Sequence, residues 1–132
     1  MRPVPVGARG AYSMTVAEEH LASKLDPSLA RVMSTPTMIG MMELAAIDAI
    51  RSYYDAGETS VGAGIEAQHI AATPPGHKVR AEAEVTKSEG RRLEFKVRAF
   101  DEVEEIGSGT HKRAVIDGAK FNERLKAKIK TS

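Results

Sequence analysis

Residues 35–50 read TPTMIGMMELAAIDAI, and this stretch governs how the rest of the chain is read. Methionine, leucine and alanine propagate a helix well, Ser34 or Thr35 can cap it, and Pro36 suits its first turn. Gly57 is placed to close the helix after about five turns. Met38, Met42, Ala45, Ala49 and Tyr53 recur on one face, and Ile39, Ala46 and Ile50 widen it. With Met41, Leu44 and Ile47 the helix is apolar almost all round, the pattern of a helix wrapped by other structure.

One group breaks that pattern. Glu43 is the only charge between Arg31 and Asp48, and at helical angles it falls near Ile39, Ile47 and Ile50. It is therefore expected to face apolar surroundings, where a lone carboxylate is costly unless hydrogen-bonded or protonated. A structural carboxylate held by backbone or hydroxyl donors is one reading, and a functional acid or base is the other.

After Gly57 the period changes from helical to alternating. Four segments, TSVGAGIEAQHIAA, HKVRAEAEVTKS, RRLEFKVRAFDEV and EIGSGTHKRAVID, read as strands, and TPPG, SEG and DEVEE between them read as the turns of consecutive antiparallel hairpins. Val79, Ala81, Ala83 and Val85, then Leu93, Phe95, Val97 and Ala99, form a dry face against charged neighbours. Residues 11–16 make a first strand, residues 17–33 a polar loop with short helical turns, and residues 118–130 a basic, solvated helix. Residues 1–10, rich in Pro and Gly, read as a flexible arm. The result is a single α+β domain, 1–132, with a curved antiparallel sheet wrapped around one long central helix. Its open edges predict that two copies pair.

Four further polar or small features stand out. His69 lies on a strand behind Gly62 and Gly64 and ahead of a Thr-Pro-Pro turn, where it is either a half-buried packing residue or a catalyst. Gly40 costs about 1 kcal/mol relative to alanine in a helix interior, which suggests close approach of a backbone or ligand. Gly62 and Gly64 mark a close approach or a bulge. Arg91 with Arg92, and Lys112 with Arg113, could bind phosphate, the first pair reading rather as solvated edge charges.

Composition removes several classes. The 19 basic and 18 acidic residues leave a net charge of +1, which gives no field to gather nucleic acid. There is no cysteine, hence no disulfide, thiolate metal site or cysteine nucleophile, in keeping with a reducing cytoplasm. No apolar run approaches the roughly 20 residues of a membrane span. His77 and His111 stand at no useful ligand spacing from His69, so no metal is expected.

Taken together, STPTMIGMMELAA, SVGAGIEAQHIAATPPGHKV, GRRLEFKVRAFDE and GTHKRAVI resemble the hotdog-fold thioesterases, and within them the fluoroacetyl-CoA thioesterase group. The resemblance runs from about residue 32 to residue 117 and implies a catalytic threonine, a glutamate 8 positions later and a histidine 26 beyond it, here Thr35, Glu43 and His69. It also implies that Gly62 and Arg113 contribute to the acyl and CoA site, and the position of Gly40, Met38 and Met42 around Glu43 on the helix makes them the expected wall of that site. The family's hydrophobic lid ahead of the threonine is built on phenylalanines, whereas residues 21–33 contain no aromatic residue.

The expectation is a homodimeric acyl-CoA thioesterase, with a small or medium acyl group, no cofactor beyond the CoA of the substrate, and sites at the dimer interface. Glu43, strengthened as a base by apolar enclosure, would attack the thioester carbonyl or activate water. Thr35 would orient it and His69 would polarise the carbonyl or position water, with amides around Met38 to Gly40 as an oxyanion site. The alternative is a hotdog module that binds acyl-CoA or a small hydrophobic ligand without turning it over. A hotdog hydratase ranks below both, because TPTMIGMMELAA does not supply its acid-base pair.

Overall fold

The computed structural model describes residues 1–131. Strand β1 (Arg9–Thr15) leads through a 3-10 turn and a short helix α1 (Ala22–Leu25) to the central helix α2 (Thr35–Ile50). Strands β2 (Glu58–His69), β3 (Lys78–Glu89), β4 (Arg92–Phe100) and β5 (Glu105–Asp117) come next, and helix α3 (Gly118–Thr131) closes the chain. The five strands form one antiparallel sheet in the order β1-β3-β4-β5-β2, which curls around α2.

The dry face is the one that alternation predicts. Val79, Ala81, Ala83 and Val85 of β3 and Leu93, Phe95, Val97 and Ala99 of β4 are all buried against Met38, Met41, Met42, Ala45, Ala46, Ala49 and Ile50. Each large side chain buried in this way contributes about 1.5–3 kcal/mol. The outward positions carry charge, with Arg9 bonded to Glu84 and Arg98 to Glu105.

Ala45 and Ala49 have a specific use. A Cβ built on Gly10 of β1 would stand 2.3 Å from the Ala49 amide nitrogen and 2.4 Å from the Ala45 carbonyl oxygen. Strand and helix therefore touch backbone to backbone, and the Ala11 amide donates to Asp48 Oδ2 at 3.0 Å beside that contact. No side chain larger than hydrogen fits at Gly10 without moving the helix.

Four expectations need correcting. The N-terminal residues are tied down rather than loose: Val4 is buried, the Arg2 amide donates to the Tyr53 carbonyl, and the Gly7 amide donates to that of Val85. The central helix ends at Ile50 and passes into a 3-10 turn, Arg51–Tyr53, so Tyr53 packs on the core from outside the helix. Leu44 is 39% exposed, so the wrapping of α2 is incomplete within one chain.

The fourth concerns pairing. The segment TPPG is a crossover and not a hairpin, because β2 pairs with β5 and β3 pairs with β1. A turn signal marks where a chain bends without naming the partner. On β5, a Cβ built on Gly109 would collide with the Glu66 carbonyl oxygen, so the glycine lets β2 lie tight against this strand. The crossover is anchored by the buried Thr73, whose hydroxyl donates to Asp101 Oδ2 at 2.9 Å. Only the β3–β4 and β4–β5 joints are hairpins. Among the described residues no helix is long and apolar enough to cross a membrane.

Candidate active site

The start of α2 separates two hydroxyls that the sequence leaves interchangeable. Ser34 is the cap, its Oγ accepting from the Thr37 amide at 3.2 Å. Thr35, one position on, is thereby released from capping, and its Oγ1 lies 2.8 Å from His69 Nδ1. His69 ends β2 opposite Gly107 of β5. Its other ring nitrogen, Nε2, is buried with no hydrogen-bond partner among the described residues. Burial pushes the His69 pKa below its ordinary 6.5, against an opposing pull from the Ala71 backbone.

Glu43 stands elsewhere. Eight residues along α2 correspond to about 12 Å of rise, so Glu43 sits roughly two turns beyond Thr35. Its side chain is 40% exposed and faces Arg113, with Glu43 Oε2 3.6 Å from Arg113 Nη1. The expected apolar enclosure is absent, since the neighbour across the gap is a guanidinium from β5 rather than another aliphatic wall. Gly62 completes the contact: a Cβ there would lie 3.5 Å from both Glu43 Oε1 and Arg113 Nη1. The register of β2 against β5 shifts between Gly62 and Gly64, so the two glycines flank a bulge as well as approaching the carboxylate.

Arg113 is buried, unlike its neighbour Lys112 on the outer face. Its Nε donates to Ser60 Oγ at 2.9 Å and its Nη2 to the Ser60 carbonyl at 3.1 Å. Ser60 Oγ also accepts from the Tyr54 hydroxyl at 2.7 Å. Ser60, Tyr54 and the buried His111, 3.2 Å from Arg113 Nη1, are site-lining residues that the sequence reading misses. The parity of His111 and Arg113, two apart on one strand, is a signal for His111 alone; Ser60 and Tyr54 carry none.

The remaining candidates fall differently. Met38 and Met42 are fully buried core residues, Met38 resting on Gly107, so neither is the open wall of a pocket within one chain. Nothing in the chain approaches the Cβ position of Gly40, which corrects the expected close approach of another backbone. The amides proposed for an oxyanion site are committed: Met38 N–H donates to the Ser34 carbonyl, and Ile39 and Gly40 lie beyond the first turn, where amides bond within the helix. The single chain thus holds two candidate half-sites on one helix, a Thr35–His69 pair and a Glu43–Arg113–Gly62 cluster.

Known proteins carry the same frame. The family model for the fluoroacetyl-CoA-specific thioesterase matches residues 16–119. The fluoroacetyl-CoA thioesterase of Streptantibioticus cattleyicolor is 42% identical over 129 residues, 93% of each chain. A solved structure of a threonine-to-serine variant of a fluoroacetyl-CoA thioesterase, in complex with acetyl-CoA, has a TM-score of 0.88 at 41% identity, over 94% of this chain and 98% of that one. A Thermus thermophilus hypothetical protein, a thioesterase superfamily member, gives a TM-score of 0.90 at 32% identity over 100% of both chains. Both half-sites lie within the matched residues, and the chain belongs to the fluoroacetyl-CoA-specific thioesterase family, hotdog-fold hydrolases of acyl-CoA thioesters.

Proposed function

We propose that this protein hydrolyses a small or medium acyl-CoA thioester to the free acid and CoA, as a homodimer whose active sites each draw on both subunits. The observation that carries the reading is the Thr35–His69 contact with His69 Nε2 buried and unpartnered, in a chain whose relatives are named thioesterases. The acyl substrate rests on the relative held with acetyl-CoA. In this reading Glu43 takes a proton from water as its oxygen bonds the thioester carbonyl carbon, or adds to that carbon directly and leaves an anhydride for water to open. In either route the carbon–sulfur bond breaks and CoA departs as a thiolate. His69 polarises the carbonyl or places the water, Thr35 holds the imidazole, and no cofactor is needed beyond the CoA of the substrate.

Pairing answers why one chain separates its half-sites. Strand β2 is a 12-residue edge strand with one side unpaired within the chain, an invitation to a second copy. A two-fold antiparallel pairing around its middle, near Ile65, carries His69 of each copy toward Gly62 of the other, and so toward Glu43. The exposed part of Leu44 and the half-buried Ile39 and Ile47 would be covered by the same union. If the chain instead works alone, the separation of Glu43 from His69 favours the alternative, a module that binds acyl-CoA without hydrolysis.

The test uses acetyl-CoA and fluoroacetyl-CoA with detection of free thiol. Wild type releases CoA, whereas Glu43→Ala and His69→Ala are each folded and slower by about 10²–10⁴-fold. Mixing the two dead variants under exchange restores activity, because one of the two sites in each mixed dimer is intact. Shared sites are refuted if the mixed dimers form and remain inactive, and a wild type that hydrolyses no thioester in a broad acyl-CoA panel refutes the enzyme.

A further inference from the structure

A strand points alternate residues to one face, so β5 sends both His111 and Arg113 inward, where they are 1% and 5% exposed. Polar groups at that depth have to be paired. Arg113 has donors only, and its Nη1 carries two hydrogens, enough for both His111 Nε2 at 3.2 Å and Glu43 Oε2 at 3.6 Å. Across the first contact the imidazole must therefore accept through Nε2. Its proton then belongs on Nδ1, and Nδ1 lies 2.8 Å from the Gly64 carbonyl, which can only accept. Both ends of the ring demand the same neutral tautomer.

We propose that His111 is a positioning residue for the hydrolysis, a neutral brace that aims the remaining Nη1 hydrogen of Arg113 at Glu43. Through Nδ1 the same ring also ties the Gly64 side of the β2 bulge, so one side chain sets the distance between the Gly62 wall and the carboxylate. The inference rests on the thioesterase reading above. The groups around the ring fit a brace: Phe95 of β4 stacks on it with centroids 5.8 Å apart, Glu43 comes from α2, the Gly64 carbonyl from β2, and Arg113 from its own strand. A second proton would set an N–H against an N–H and a cation against a cation. Burial, helped by Arg113, holds the His111 pKa below 6.5, with Gly64 and Glu43 pulling the other way.

Two variants and one spectrum test this. His111→Phe keeps the stacking and removes the acceptor, whereas His111→Gln keeps an oxygen that can accept from Arg113. With acetyl-CoA and fluoroacetyl-CoA, kcat of the Phe variant should fall about tenfold or more while KM stays within about twofold, and the Gln variant should regain most of the loss. In ¹⁵N-labelled wild type between pH 8 and pH 7 the His111 ring should show protonated Nδ1 and bare Nε2. A ring protonated on Nε2, or a folded Phe variant with wild-type kcat, overturns the proposal. If the Phe variant does not fold, a Gln variant as impaired as His111→Ala overturns it equally. The spectrum is read whether or not a thioester is hydrolysed, so an inactive wild type condemns the functional reading and not the brace.

Discussion

At its N-terminal end α2 offers Thr35 to His69, and about two turns on it offers Glu43 to Arg113. The first is a pair of uncharged groups at the rim of the chain, with one ring nitrogen left unpartnered. The second is an ion pair whose cation is buried and held by Ser60, His111 and, through Ser60, Tyr54. The difference separates two demands on a site. A lone neutral ring nitrogen can be left unsatisfied at a cost the fold absorbs, whereas a charge carried into the core must be built into the fold.

The largest effect expected from this contrast is on stability. Arg113→Met strips donors from Ser60 Oγ, the Ser60 carbonyl and His111 Nε2 at once. The buried His111 nitrogen so orphaned costs about 1–3 kcal/mol, and the half-buried Ser60, whose Oγ keeps the Tyr54 hydroxyl, adds less, so urea unfolding should show a loss of about 2–3 kcal/mol. Thr35→Ala should move stability by no more than about 0.5 kcal/mol, because Ser34 and not Thr35 caps the helix. Equal losses from the two variants would break the comparison.

The next effect is on rate and runs the other way. Thr35→Ala removes one hydrogen bond to the His69 ring, about 1.4 kcal/mol at most, so kcat/KM should fall about tenfold while the unfolding midpoint holds. Thr35→Ser, which keeps the hydroxyl, should recover the rate. A Thr35→Ala variant that unfolds early but turns over normally would place Thr35 among the structural groups instead.

How far the sequence reaches obeys the same division. Period-two alternation in β3 and β4 names the buried face residue by residue, because it depends only on local geometry and the contrast of apolar with charged side chains. It is silent on which strand lies next to which, and so the TPPG crossover reads as a hairpin. For Glu43 the helical angle tells which side of α2 it leaves, but its facing cation is 70 residues away on β5, and no local pattern contains that pairing. Thr35 and His69 are visible through family spacing, whereas Ser60, Tyr54 and His111 look like ordinary strand and loop residues until the fold sets them around a guanidinium. The N-terminal arm misleads because Pro and Gly content signals a break in regular structure, not a lack of contacts.

The smallest expected effect concerns acid, and it discriminates between the two histidines. Both have pKa values held below the ordinary 6.5 by burial, so between 6.5 and the lower folded value the unfolded chain binds more protons than the folded one. Stability is therefore full above pH 6.5 and declines as the pH falls toward those folded values. The decline precedes that of the carboxylates, since Glu58, held near 2 by the Asp55 amide, the N-terminus and Arg91, and Glu105, lowered by Arg98, begin to matter only below their ordinary 4.5. Urea midpoints measured from pH 7 to pH 5 isolate the histidine window. His111 is fully enclosed and stands next to a cation, whereas His69 is half-buried and can turn toward solvent, so His111→Gln should flatten the slope more than His69→Gln. The reverse order would mean that the Thr35 end, and not the Arg113 end, is where the fold resists a proton.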